Sequence, residues 1–234
     1  MRNRLKTIFN AAVTLTLSLA SVQASAQHRI KVTSQGYPSK ETQAPQRVED
    51  LDELSFTEMI NSVPLDEKSA QLIRKFQEKE GRNRLHSREY NSKNGCTVET
   101  FRNKEVLLVT IPASSLFAPN DTVLRPTASA LLAPFARYLK GNDMFRVLMV
   151  MHTDNTGSAK YRDELTEKRS EAISDWYADQ GANTTYLFPY AFGDDMPLVE
   201  NNSMGNREKN RRLEVYLMPG KGLLEQAKKG RIEF

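Results

Sequence analysis

The stretch 145–157, FRVLMVMHTDNTG, decides how this chain of 234 residues is read. Its apolar part, residues 145–151, has the length of a short buried strand, and the polar part behind it stops at Gly157, where the backbone must turn. Asp154 therefore sits at a strand's exit. From residue 158 to 180 the chain reads as one helix, because Leu165, Ala172, Ile173 and Trp176 fall on one face at helical spacing. Arg169 lies on that same stripe, four residues after Leu165 and four before Ile173. A guanidinium there either snorkels, its stem along the face and its head in water, or converges with Asp154 at the N-terminal side of the helix. The second arrangement lines a small pocket with one cation and one anion. Such a pair suits a zwitterion, with Arg169 forked onto a carboxylate and Asp154 accepting from an ammonium.

His152-Thr153-Asp154-Asn155-Thr156-Gly157, followed by Tyr161, Leu165 and Arg169, and later by Asn210-Arg211-Arg212-Leu213-Glu214-Val215, resembles the C-terminal domain of the outer membrane protein A family. That family includes peptidoglycan-associated lipoproteins and motor stator proteins. The two motifs are specific together, since their order and separation also fit. The resemblance implies noncovalent binding of peptidoglycan, with Asp154 and Arg169 clasping the diaminopimelate of the stem peptide. Thr153 and Asn155 would contribute backbone groups and Leu165 a wall, with Tyr161, Asn120, Arg211 and Arg212 completing the candidate set.

The chain departs from the family pattern in places. Relatives often bring a second acidic residue to the pocket in the loop where this chain has Asn120, which carries no charge, so the ammonium has one anion fewer unless Asp121 turns in. Asn206 stands where a Gly is usual, and Asn tolerates the left-handed backbone a Gly would supply. Met151 and Ser170 replace a usual Gly and Ala. One of Arg211 and Arg212 faces inward if they lie on a strand, since neighbours alternate faces.

Residues 1–26 read as a cleaved export signal: Arg2, Arg4 and Lys6, an apolar run, then Ala24-Ser25-Ala26 before Gln27. The apolar run is shorter than the roughly 20 residues that span a bilayer, and no Cys follows it to carry a lipid, so a periplasmic protein associated with the wall, or with the outer membrane through a partner, is expected. Residues 27–50 have linker composition. Residues 51–97 read as a short helical extension and basic linker, with two amphipathic helices around Val63-Pro64, the second capped by Asp66. Their apolar faces pack on the domain or on each other, or residues 51–80 meet an envelope or outer-membrane protein. This region is too short for a barrel, which needs about eight strands of roughly ten residues. The domain itself is assigned to residues 98–218, with a basic tail at 219–234. Cys96 has no partner within the chain and reads as a buried small hydrophobe, with intermolecular pairing the alternative.

Within the domain, residues 98–112 form one or two strands, a hairpin if they turn at Asn103-Lys104. A helix starting at Pro126 is kinked or restarted by Pro134, and Pro189 puts the strand at 186–192 on an edge. A long polar loop at 193–205 leads to a last strand. The order strand, helix, strand, helix, strand, strand defines an α+β two-layer sandwich, β-α-β-α-β-β, its mixed sheet covered by helices.

Other functions fit less well. An enzyme is not expected: the chain has three His, no His-Glu-x-x-His and no Gly-x-Ser-x-Gly, and neither a catalytic set nor a metal or cofactor site is read from it. A formal net charge of +4 and a pI near 9.1 suit any anionic partner. The basic cluster Arg207, Lys209, Arg211, Arg212 is interrupted by Glu208 and Glu214 and has no aromatic platform, so nucleic acid is not expected. The alternative is an exported scaffold module whose pocket no longer binds peptidoglycan.

Overall fold

The structure is a computed structural model that describes residues 56, 60, 65–81, 85, 95–141 and 143–234. The expected export signal, the linker at 27–50 and most of the first amphipathic helix lie outside these residues. One compact unit runs from Ser62 to Phe234.

Its first helix, α1 (Glu67–Glu80), begins where Asp66 caps it: the Asp66 carboxylate accepts from the Ser69 backbone N–H at 3.0 Å. The hairpin follows, β1 (Thr97–Phe101) and β2 (Val106–Pro112), and its turn puts Arg102, Asn103 and Lys104 at positive φ. A single turn, α2 (Ala113–Leu116), precedes α3 (Ala128–Leu132), and Pro134 restarts α3 as a 3₁₀ segment over Ala133–Leu139. Strand β3 (Phe145–His152) leads to α4 (Ala159–Asp179), a short 3₁₀ turn and β4 (Leu187–Ala191). Then come α5 (Met204–Asn210), β5 (Arg212–Pro219) and α6 (Lys221–Lys228).

The five strands form one mixed sheet in the order β1-β2-β5-β3-β4, with only β3 and β4 parallel. Pro189 lies on the edge strand β4, where its missing N–H breaks no ladder. Alternation sorts the two faces. Leu107, Val109 and Ile111 of β2, Leu213, Val215 and Leu217 of β5, and Val147, Met149 and Met151 of β3 join one core with Leu132, Phe135, Ile173 and Tyr177 from the helices. Each such side chain, fully buried, contributes about 1.5–3 kcal/mol. This is the expected two-layer α+β sandwich, with β1 added at the front and α5 inserted between the last two strands.

The segments flanking the domain expected at 98–218 pack against it. Helix α1 is part of the domain: Ile73 is buried, and the Gln77 amide nitrogen donates to the backbone oxygens of Glu105 and Leu217, both at 3.0 Å. The stretch after 218 is likewise built in, since Leu223 joins the core and Phe234 stacks on Tyr138 with centroids 5.6 Å apart. The buried face of α1 is therefore spent on its own domain. Cys96 is buried, and burial pushes its thiol up to about 11.

Candidate ligand site at the end of strand β3

Asp154 stands two residues past β3, between the strand and the start of α4. Thr153 is held by its N–H, which donates to Gly193 O at 2.8 Å and so ties the exit of β3 to the exit of β4. The Asp154 carboxylate accepts from the Thr156 N–H at 2.7 Å, the Asx turn that this short side chain favours. Gly157 then takes φ +85, and Ser158 caps α4 by accepting from the Tyr161 N–H. A methyl group at Gly157 would stand 2.8 Å from the Tyr161 ring. Gly157→Ala is therefore expected to cost about 1–3 kcal/mol and to displace Tyr161, whose hydroxyl donates to Asn120 Oδ1 at 3.1 Å. A melting temperature equal to wild type would show that the turn relaxes.

Arg169 is where the helical stripe put it, one face with Leu165 and Ile173, and it is only 4% exposed. Its partners differ from those expected. Nε donates to Asp121 O at 2.8 Å and Nη2 to Ala118 O at 3.2 Å, with the guanidinium carbon 4.8 Å from the Phe117 ring centre. It thus clasps the loop after α2. Nη1 has no protein acceptor among the described residues. Burial depresses the Arg169 pKa; Tyr161 and Asp121 oppose that shift while Arg211 adds to it.

The cation on Asp154 is Arg211. Its Nη1 pairs with Asp154 Oδ2 and its Nη2 with Glu208 Oε2, while Glu208 also accepts from Ser114 Oγ at 2.8 Å. Burial alone would raise the Asp154 carboxyl, but the bonds from Thr156 and Arg211 outweigh it and hold the group below its usual range. Arg211 sits at the C-terminal end of α5, a helix the sequence pattern did not show because only Asn210 in it is buried. Asn210 anchors the preceding loop: its Oδ1 accepts from the N–H groups of Leu198 and Val199, and its Nδ2 donates to Val199 O and Asn201 Oδ1. Glu208 and Asn210 were missed as site supports. The one local signal for α5 is Ser203, which caps it through the Asn206 N–H at 3.2 Å.

The remaining candidates divide. Asn155 is exposed at the rim and accepts from Arg207 Nε at 3.2 Å. Asn120 takes φ +59, a backbone that Asn tolerates. Asp121 does not turn inward: its carboxylate accepts from the N–H groups of Thr122 and Val123. Arg212 belongs elsewhere. It lies on the opposite face of β5 from the helical core, buried against Glu214 at 2.7 Å, with further bonds to Asn210 O and Met196 O. His152, Glu214 and Tyr216 share that second cluster.

Residues 116–211 match the sequence model of the OmpA family. Among curated proteins, the outer-membrane lipoprotein YfiB of Pseudomonas aeruginosa is 29% identical over 102 residues, 44% of this chain and 61% of that protein. The peptidoglycan-associated lipoprotein of the same species is 29% identical over 99 residues, 42% of this chain and 58% of that one. This chain thus spans about three fifths of the length of either. The crystal structure of a MotB-like protein from Desulfovibrio vulgaris has the same fold, with a TM-score of 0.55 at 23% identity over 64% of this chain and 95% of that one.

Proposed function

We propose that this protein binds peptidoglycan noncovalently, through the diaminopimelate of a stem peptide, and anchors itself or a partner complex to the wall within the cell envelope. The observation that carries the proposal is the charge arrangement at the exit of β3: one buried carboxylate, Asp154, paired with the Arg211 guanidinium, and a second, buried guanidinium, Arg169, on which Arg211 acts electrostatically. One anion and two cations match the free end of diaminopimelate, which offers one ammonium and one carboxylate. The name of the peptidoglycan-associated lipoprotein points the same way. A cleaved export signal at residues 1–26 would deliver the chain to the periplasm.

Binding would run as a clamp. Asp154 holds the ammonium, Arg169 Nη1 faces the carboxylate, and Leu165 backs the pocket. Arg169 is fixed by the loop carbonyls, so little side-chain entropy is lost when a ligand arrives.

A second reading has its own observation: Asn120 is neutral and Asp121 is spent on its own backbone, so Asp154 is the sole buried anion of the pocket among the described residues. On that reading the domain is a scaffold in an envelope complex and no longer binds the wall. Cosedimentation of the full chain with purified sacculi separates the two. Saturable binding, competed by a diaminopimelate tripeptide, supports the anchor. A folded protein that stays in the supernatant would sink it and leave the scaffold.

A further inference from the structure

We infer that Arg211 is a built-in competitor that sets the selectivity of the site: it occupies Asp154 in place of the ligand's ammonium, and yields only to a ligand that also brings a carboxylate to receive it. The inference rests on the binding reading above.

The exposure gradient is the first ground. The Asp154 side chain is 3% exposed, whereas the Arg211 side chain that pairs with it is 36% exposed. The guanidinium therefore lies between the carboxylate and solvent, and an incoming ammonium meets Arg211 before it meets Asp154. Both carboxylate oxygens are already engaged, Oδ1 by the Thr156 N–H and Oδ2 by Arg211.

The second ground is that Arg211 has somewhere to go. Its other terminal nitrogen is held by Glu208, which is 45% exposed and braced by Ser114. Released from Asp154, the side chain keeps this solvent-side tether, within electrostatic reach of Arg169. A carboxylate arriving there is received by two guanidiniums at once and relieves their mutual repulsion.

The third ground is charge compensation. Asp154 is too buried to be left ionised and alone, so Arg211 departs only as another cation takes its place. An amine without a neighbouring carboxylate can replace Arg211 on Asp154, but it strands the guanidinium next to Arg169. Diaminopimelate offers both groups from one carbon. Lysine at the same place in a stem peptide offers only the ammonium, so Arg211 acts against lysine and in favour of diaminopimelate.

The test is calorimetric titration of the full chain with two tripeptides, L-Ala-D-Glu-meso-diaminopimelate and L-Ala-D-Glu-L-Lys, for wild type, Arg211→Ala and Arg211→Gln. If Arg211 holds the site closed in all but roughly a tenth of molecules, removing it tightens the lysine peptide by about tenfold. In the same variants the diaminopimelate peptide binds more weakly, because one carboxylate partner is gone. The opposite movement of the two affinities is the signature, since a merely structural role for Arg211 would weaken both. Parallel weakening in the folded Gln variant, or unchanged affinities in both variants, would overturn the competitor while leaving the binding reading intact. Failure of the wild type to bind either peptide would overturn both.

Discussion

Asp154→Ala removes detectable binding of the diaminopimelate tripeptide, with an expected loss of at least about 100-fold in affinity, while the protein still folds. The magnitude follows from burial. Asp154 is 2% exposed, so a ligand ammonium placed against it would be desolvated, and without its counter-charge that group costs about 3–5 kcal/mol. The fold survives because the neighbours keep other partners: Arg211 retains Glu208, and Thr153 retains Gly193 O. Asp154→Asn keeps the shape and the acceptor for the Thr156 N–H but not the charge, so it should bind nearly as poorly. Titration calorimetry of the full chain measures both variants. Binding retained in the Ala variant would move the anionic role to Glu208, the other carboxylate paired with Arg211, and the pocket would have to be redrawn around α5.

The sequence revealed positions better than partners. Asp154 at a strand's exit and Arg169 on a helical stripe are local facts, fixed by the length of an apolar run and by a period of 3.6 residues. Their partners are not local. Arg169 bonds to carbonyls 48 and 51 positions earlier, and Asp154 pairs with a guanidinium 57 positions later, distances over which no periodicity operates. The sequence expectation either sent the Arg169 head to water or brought it with Asp154 to line one pocket, whereas the structure ties Arg169 to the loop after α2 and Asp154 to the end of α5. Arg211 and Arg212 illustrate the same limit. Alternation says that adjacent residues diverge, but only the end of α5 and the register His152↔Arg212 decide which one meets Asp154. Polar residues that turn out to be buried were also opaque: Gln77 falls on the stripe of Ala70 and Ile73, but nothing local says that its amide bridges two backbone oxygens inside the domain. That has a practical consequence. A truncation meant to isolate the domain must begin before Asp66, because a cut near residue 90 would remove α1 and expose the core beneath it.

The second large effect lies away from the ligand. On the face of the sheet opposite the helical core, Glu214 accepts from Arg212 Nε and from the Tyr216 hydroxyl, each at 2.7 Å, and lies 3.4 Å from His152 Nε2. Burial penalises the Glu214 carboxylate, but His152, Arg212 and Tyr216 together outweigh that penalty and hold its carboxyl well below the ordinary value. Arg212→Ala leaves this charge buried with one fewer cation and should cost about 3–5 kcal/mol, or roughly 10 °C in melting temperature. The double variant Arg212→Met, Glu214→Leu should be less damaging than Arg212→Ala alone, since it removes both charges and refills the volume. A double variant as unstable as the single one would mean that the hydrogen bonds to Asn210 O and Met196 O, not the ion pair, are what the fold needs from Arg212. The cluster also sets a pH dependence. Burial lowers the His152 pKa below its ordinary 6.5, with Arg212 adding to the effect and Glu214 opposing it, so the folded protein keeps the ring neutral while the unfolded chain binds a proton. Stability from this group is therefore complete above about pH 6.5 and falls as the pH drops below it. Glu214 has a depressed pKa too, and its contribution, present above about pH 4.5, is lost only at much lower pH. Melting curves should thus show a first decline as the pH falls below about 6.5 that disappears in His152→Gln, followed by a second below about pH 4.5 that persists. A first decline that survives in His152→Gln would assign it to a group other than this histidine.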